Sequence, residues 1–124
     1  GGKPNGVTLV DADTLASMGE VYLAPHLAAP LLLPTRFALG FMKSMDNRRH
    51  PADTSSVILG ASAFGHVGAG GSIGFADPAC AMSFGYSMNR MGPGILLNER
   101  GQALVDAAYR CLGYRSARSG AWAR

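Results

Sequence analysis

A histidine followed within five residues by three glycines stands in the run Phe64-Gly65-His66-Val67-Gly68-Ala69-Gly70-Gly71-Ser72. Glycine has no Cβ, so a ligand can approach the main chain closely there and reach its N–H groups. The imidazole of His66 adds a titratable group that donates or accepts a hydrogen bond according to its protonation state. The segment therefore predicts one wall of a substrate site, with Gly68, Gly70 and Gly71 in contact with the substrate.

A nucleophile that could act at this wall is not apparent in the sequence. A serine nucleophile needs a base within hydrogen-bonding reach. The two lysines are Lys3 and Lys43; neither ends a Ser-x-x-Lys motif, and the sequence has no Gly-x-Ser-x-Gly motif. Ser116 and Ser119 stand in an Arg-rich stretch where disorder is expected rather than chemistry. We therefore expect the nucleophile to lie on residues outside these 124.

Spacing disfavours two other kinds of site. A nucleotide-binding loop needs a further glycine where Ile73 stands and must open a helix, whereas the residues after Gly71 predict a strand. His26 and His50 have no Cys, Asp or Glu at the spacing of metal ligands. The sequence therefore predicts no metal site and no cofactor.

A purely structural interpretation of the glycine-rich run stays open beside the functional one. His66 can be a strand histidine whose nitrogens are satisfied by the backbone or by water. The glycines can serve only to allow a bulge or a close crossing of strands. The sequence by itself does not decide between these interpretations.

Composition indicates a small globular domain that contains strands. The chain has 124 residues, 48% of them apolar, and 17 glycines, too many for a helical bundle. No apolar run approaches the ~20 residues of a membrane span. Cys80 and Cys111 are too few for a disulfide framework and are predicted to be buried free thiols. Nothing in the sequence indicates a compartment.

The net charge of +3 owes much to arginines near the C-terminus. Residues 114–124 are predicted to form a basic, solvated tail after a domain that covers residues 1–113. Aromatic residues are not interleaved with these arginines as they are on nucleic-acid platforms. No nucleic-acid partner is therefore predicted.

Periodicity and turn signals predict an α+β fold, in which an antiparallel sheet carries a C-terminal helix on one face. A short helix begins at Asp11 or Asp13, and the Asp77-Pro78-Ala79 turn makes an antiparallel hairpin. A second helix begins at Asn98 and ends at Gly113. The predicted strands are 37–42, 64–67, 72–76 and 82–91, and the predicted core positions of the second helix are Leu104, Val105, Ala108, Cys111 and Leu112.

The glycine-rich run, together with two later segments, resembles the C-terminal part of the serine β-lactamase-like family. The later segments are Phe75-Ala76-Asp77-Pro78 and Phe84-Gly85-Tyr86-Ser87-Met88-Asn89-Arg90-Met91. The family includes class C β-lactamases, penicillin-binding proteins and esterases of the same fold. The resemblance covers the chain from about Gly6 to Gly113.

The resemblance implies roles for two residues. The family's third motif, Lys-Thr-Gly or His-Thr-Gly, falls on His66-Val67-Gly68, so His66 would line the site and orient or polarise the substrate. Ala69 would offer its backbone N–H as one half of the oxyanion hole. Val67 lacks the hydroxyl that β-lactam-binding members use, which favours a small ester or amide as substrate.

The resemblance also implies a partner. The family's Ser-x-x-Lys and Tyr-x-Asn motifs lie upstream of the third motif and have no counterpart in this chain. They would belong to an N-terminal part of the same fold, on a separate chain or on a missing segment. The complete protein would hydrolyse its substrate through a serine acyl-enzyme. The alternative is a non-catalytic β-lactamase-like module for binding or assembly.

Overall fold

A three-stranded antiparallel meander lies at the centre of the computed structural model, which describes residues 2–25, 31–50 and 55–124. Its strands are β1 (Phe64–Gly68), β2 (Ser72–Asp77) and β3 (Met82–Tyr86), and β2 is the middle strand. The helices are α1 (Ala12–Ser17) and α2 (Glu99–Cys111), with 3-10 turns at Pro4–Gly6 and Pro78–Cys80. Within the described ranges, no helix is long and apolar enough to cross a membrane.

Burial alternates along the middle strand, so the sheet has one face toward the core and one open face. In β2, Ile73, Phe75 and Asp77 are buried, whereas Gly74 is exposed. Side chains on alternate positions of a strand point to opposite faces. His66 pairs with Gly74, which pairs in turn with Gly85, so these three residues form one row across the open face.

The hairpin predicted at Asp77 is confirmed, but β3 is shorter than predicted. The Asp77 carboxylate accepts a hydrogen bond from the Ala79 N–H at 3.1 Å, and Ala81 completes the turn in the left-handed region at φ 51°. The strand predicted to continue to residue 91 ends at Tyr86. The chain leaves the sheet because the Gly92 N–H bonds to the carbonyl of Gly70, in the β1–β2 turn.

The strand predicted over residues 37–42 is instead a tight bend. Phe37 forms an isolated antiparallel bridge with Met42, and the Ala38 N–H donates to the Phe41 carbonyl at 2.7 Å. Gly40 has φ 75° at the tip. Met42 also bridges to Gly65, so the bend joins the outer edge of β1 rather than forming a strand of its own.

Both predicted ends of α2 are confirmed, but of its five predicted core positions Val105 alone is buried. Asn98 is the N-cap residue, and Gly113 follows the C-cap with φ 82°. The helix buries Gly101, Val105 and Tyr109, whereas the predicted core residues Leu104 and Leu112 are 45% and 42% exposed.

The orientation of α2 follows from Tyr109, whose ring stacks on Phe75 of β2 at 6.1 Å. Burying this large ring turns the other apolar side of the helix toward solvent. Cys111 lies on that side and is exposed, and Cys80 is half-buried. Both thiols are free as predicted, but the prediction that they are buried is wrong.

Residues 114–124 are not a solvated tail, because two aromatic side chains of this segment belong to the core. Tyr114 and Trp122 are 8% and 5% exposed. The Trp122 ring stacks on Tyr109 at 5.8 Å, and its main-chain N–H donates to the carbonyl of Leu59. Composition marked this segment as basic, but its last arginine, Arg124, lies over the ring of Tyr114, and Arg110 of α2 lies over the ring of Trp122.

A buried polar network holds the end of β2 against α2. The Tyr109 hydroxyl donates to Asp77 at 2.8 Å and accepts from the Gly60 N–H at 2.7 Å. The Ser62 hydroxyl donates to the other oxygen of Asp77 at 2.6 Å. Burial raises the pKa of the Tyr109 hydroxyl well above its usual value, so it stays a protonated donor.

Candidate functional site

The candidate site lies at the turn between β1 and β2. The Gly71 N–H donates to the carbonyl of Gly68 at 3.1 Å, which closes the turn. Gly70 and Gly71 have φ 87° and 109°, values that side-chain-bearing residues rarely adopt. Only glycine suits these two positions, which explains the glycine pair of the sequence.

Ala69 lies at the tip of this turn and is exposed. The neighbouring N–H groups of Gly70 and Gly71 both donate to main-chain carbonyls, those of Gly94 and Gly68. Within the part of the chain that the structure describes, the Ala69 N–H has no such acceptor. An exposed main-chain donor without an acceptor is available to a ligand oxygen.

His66 lies two residues before Gly68 on the open face of β1, and its side chain is exposed. Its Nδ1 lies 2.7 Å from the carbonyl of Val67. A carbonyl oxygen only accepts, so Nδ1 carries the hydrogen, and Nε2 of the neutral ring carries a lone pair. Neutral His66 therefore accepts a hydrogen bond at Nε2, and it donates there only as the imidazolium. The ring of Phe37 lies beside it, with the centroids 6.2 Å apart.

The strand surface next to His66 carries almost no side-chain bulk. A Cβ placed on Gly74 or Gly85, the two residues in the row with His66, would meet nothing within 4 Å. A ligand can therefore come close to the main chain along the row formed by His66, Gly74 and Gly85. These two glycines were not among the predicted site residues, because their place beside His66 depends on the register between the strands.

The three glycines predicted to contact substrate have packing roles in the structure. A Cβ on Gly70 would lie 2.9 Å from Met91, and one on Gly71 would overlap the Asn98 side chain. A Cβ on Gly68 would overlap the hydroxyl of Ser72. Gly70 and Gly71 are buried and Gly68 is half-buried, so their contact with substrate stays a prediction.

Asn98 is a site residue that sequence reasoning assigned only to a helix cap. Its Nδ2 donates to the Gly70 carbonyl at 2.8 Å, and that carbonyl also accepts from the Gly92 N–H at 2.9 Å. Twenty-eight positions separate Asn98 from Gly70. No local pattern in the sequence signals a pairing over that distance.

Other polar features of the structure were not assigned to this site, although the first of them shares Asn98 and Gly94 with it. An open groove of about 690 Å³ runs along the other side of α2, lined by Arg48, Leu97, Gln102 and Asp106 among others. Lys43 is buried, and desolvation lowers the pKa of its amine. His26 lies outside the described residues. Among the described residues, no group of three His, Cys, Asp or Glu is placed to hold a metal ion.

Comparison with solved structures finds a crystal structure of a family VIII carboxylesterase. It is 32% identical to this chain, with a TM-score of 0.70, over 89% of the chain. The match covers 28% of the carboxylesterase, so this chain spans less than one third of that protein's length. No protein-family model and no curated protein matches the chain.

The carboxylesterase has a β-lactamase-like fold. The match supports the resemblance drawn from the sequence at the level of that superfamily. The predicted α+β class, with a three-stranded antiparallel sheet and a C-terminal helix, is confirmed.

Proposed function

We propose that this chain is the C-terminal part of a β-lactamase-like serine esterase that hydrolyses small esters or amides through an acyl-enzyme. The observation that carries the proposal is the 32% identity to a family VIII carboxylesterase over 89% of the chain. The Ala69 N–H at the exposed turn, which has no main-chain acceptor among the described residues, supports it, because acyl transfer needs a donor at the developing oxyanion.

In the proposed reaction a serine from outside this chain attacks the substrate carbonyl. The carbonyl oxygen becomes an oxyanion, which accepts a hydrogen bond from the Ala69 N–H. Loss of one such donor typically costs about 10²- to 10³-fold in kcat. The Lys and Tyr of the family's upstream motifs take the serine proton and pass it to the leaving group, so collapse of the tetrahedral intermediate breaks the C–O or C–N bond and expels a neutral alcohol or amine. Water then attacks the acyl-enzyme, which releases the acid and returns the proton to the serine.

His66 orients the substrate beside this donor. Since its Nδ1–H is committed to the Val67 carbonyl, neutral His66 offers a lone pair at Nε2 to a donor group of the substrate or of the nucleophile. Polarising a carbonyl from the same position requires the imidazolium. The bare backbone of Gly74 and Gly85 leaves room for the acyl or alcohol group next to the ring.

The partner in this proposal is the N-terminal part of the same fold, which carries Ser-x-x-Lys and Tyr-x-Asn. The match covers only 28% of the carboxylesterase. Two surfaces of the described chain suit such a partner. Only one edge of β3 is paired, and Leu104 and Leu112 expose the apolar side of α2. An open strand edge beside an apolar surface is a site where further chain adds to a sheet.

Labelling of the native protein with a serine-reactive fluorophosphonate, followed by intact mass spectrometry, tests the proposal. We expect the label on a polypeptide that contains Ser-x-x-Lys, either covalently continuous with these residues or co-purifying with them. No label and no ester hydrolysis would leave a non-catalytic binding or assembly module.

A matched pair of substitutions tests the role of Ala69. Ala69→Pro removes the N–H, and Ala69→Ser keeps it with a side chain of similar size. We expect kcat to fall by about 10²-fold or more for the proline variant and to stay near wild type for the serine variant. Equal kcat values for the two variants would refute the oxyanion role.

A further inference from the structure

One side chain joins the beginning of α2 to the turn that presents Ala69. Asn98 accepts the Gly101 N–H at its Oδ1 (3.3 Å), which caps the helix. Its Nδ2 donates to the carbonyl of Gly70 at 2.8 Å. A cap requires only an oxygen, which Ser, Thr or Asp would supply equally well. The amide nitrogen of Asn98 therefore serves the turn and not the helix.

From Asn98 the hydrogen bonds run head to tail to Ala69. The Gly70 carbonyl and the Gly71 N–H belong to one peptide unit, and the Gly68 carbonyl and the Ala69 N–H belong to another. In a trans peptide the C=O and N–H bonds point in opposite directions. The Gly71 N–H donates to the Gly68 carbonyl at 3.1 Å, so the Ala69 N–H is the last donor of the series.

This order has two physical consequences. The planes of both peptide units are fixed at their carbonyl ends, which fixes the direction of the Ala69 N–H. Each bond in a head-to-tail series also polarises the next one, so the terminal donor becomes stronger. The series begins at the Gly101 N–H in the first turn of α2, where the helix dipole is positive.

Two glycines make room for the Asn98 amide. A Cβ on Gly71 or on Gly92 would overlap the Asn98 side chain. The Gly92 N–H is the second donor to the Gly70 carbonyl, at 2.9 Å, and the Gly70 N–H reaches the Gly94 carbonyl at 3.3 Å. The turn is thus held from the side of residues 92–98, and Ala69 is its exposed residue.

We infer that Asn98 is a positioning residue for the proposed hydrolysis: it directs and strengthens the Ala69 N–H as a donor to the oxyanion. The inference rests on the proposed function, in which that N–H contacts the reacting carbonyl. Both ends of the Asn98 amide are occupied by protein partners, the Gly101 N–H and the Gly70 carbonyl, so its removal should affect the transition state more than substrate binding.

The variants Asn98→Ser and Asn98→Asp, in the full-length enzyme, separate the two roles of this side chain. Both keep an oxygen that accepts the Gly101 N–H, and both lose the Nδ2–H donor that reaches the Gly70 carbonyl, since the serine hydroxyl is one bond shorter. We expect kcat for a short-chain ester to fall ~10- to 100-fold while KM changes by less than about twofold. The inhibition constant of a trifluoromethyl ketone, whose adduct is a tetrahedral oxyanion, should rise by a similar factor.

The matched control is Asp11→Ser at the N-cap of α1, where Asp11 accepts the Thr14 N–H at 2.7 Å. This cap is outside the candidate site, so kcat and the inhibition constant should stay at wild-type values. If Asn98→Asp fails to fold because of its added charge, the neutral Asn98→Ser decides the question.

Unchanged kcat and inhibition constant in Asn98→Ser, or a loss of thermal stability without any loss of kcat, would overturn the inference. A wild-type protein that takes no fluorophosphonate label and hydrolyses no ester overturns the proposed function, and the inference with it. A labelled, active wild type with an equally active Asn98→Ser variant overturns the inference alone.

Discussion

The hydroxyl of Tyr109, in the third turn of α2, donates to the carboxylate of Asp77 at the end of β2 across 2.8 Å. Both side chains are buried, with exposed fractions of 0% for Tyr109 and 1% for Asp77. The same hydroxyl accepts the Gly60 N–H, so one oxygen ties the helix, the sheet and the segment before β1 together.

Tyr109→Phe is expected to destabilise the protein by about 1–3 kcal/mol, because it leaves a buried carboxylate and a buried N–H each with one partner fewer. Urea or thermal unfolding of the full-length protein measures the change. Tyr22→Phe is the control, since Tyr22 is 58% exposed and should change stability little. Equal stability of the two variants would show that water replaces the Tyr109 hydroxyl at no cost.

Asp46 should make stability sensitive to acid. Its carboxylate accepts hydrogen bonds from Arg48, which hold the pKa of this carboxyl below its usual 3.8. A group with a lowered folded-state pKa stabilises the fold above its unfolded pKa and loses that effect as pH falls through the folded value. The thermal midpoint of the wild type should therefore be higher than that of Asp46→Asn at pH 7. The difference between the two midpoints should shrink as the pH falls below about 3.8.

The control for this comparison is Asp13→Asn, on an exposed position of α1 with no ion pair among the described residues. It should follow the wild type at every pH. Since Arg48 also donates to the carbonyl of Ala117 at 2.9 Å, the segment after α2 should loosen first in acid. A constant difference between wild type and Asp46→Asn from pH 7 to pH 3 would contradict the assignment.

Gly71→Ala is expected to destabilise the turn by about 1–3 kcal/mol through backbone strain alone, since Gly71 has φ 109°. The added methyl also overlaps the Asn98 side chain, so kcat should fall together with stability. Gly85→Ala is the matched control for stability alone, because its Cβ would meet nothing within 4 Å. Wild-type stability in Gly71→Ala would mean that the turn adopts another conformation.

His66→Ala is expected to lower kcat/KM of the complete enzyme by ~10- to 1000-fold with little change in thermal midpoint, because the side chain is exposed. His66→Gln keeps a polar group of similar reach and should lose less. Steady-state kinetics on a chromogenic ester gives both values. If His66→Ala has wild-type kinetics, His66 is a structural residue of the strand.

Features of the fold that depend on neighbours along the chain were predictable from the sequence. The hairpin at Asp77 and both ends of α2 follow from turn and capping residues, whose bonds reach only two or three positions. The exposure of Leu104 was not predictable, because the apolar pattern of α2 allows two buried faces. The choice depends on Tyr109 stacking between Phe75 and Trp122.

Part of the candidate site was likewise predictable from neighbouring residues, and part of it was not. His66 and the glycines of the turn are adjacent in sequence, and their composition indicated a site. The residue that holds the turn, Asn98, lies 28 positions from Gly70, and its second hydrogen bond is a property of the folded chain only. Composition likewise marked residues 114–124 as polar, although Trp122 packs on Tyr109.

The meander also has a consequence for the order of folding. Closing the first hairpin joins Gly68 to Ser72, whereas the bond from the Ser44 hydroxyl to the Gly120 carbonyl joins residues 76 positions apart. Loop-closure entropy makes the longer contact about 2–3 kcal/mol more costly to form. We therefore expect the three strands to pair early and residues 114–124 to dock last. During synthesis, the turn at residues 68–71 should then form before the residues that complete the core have left the ribosome.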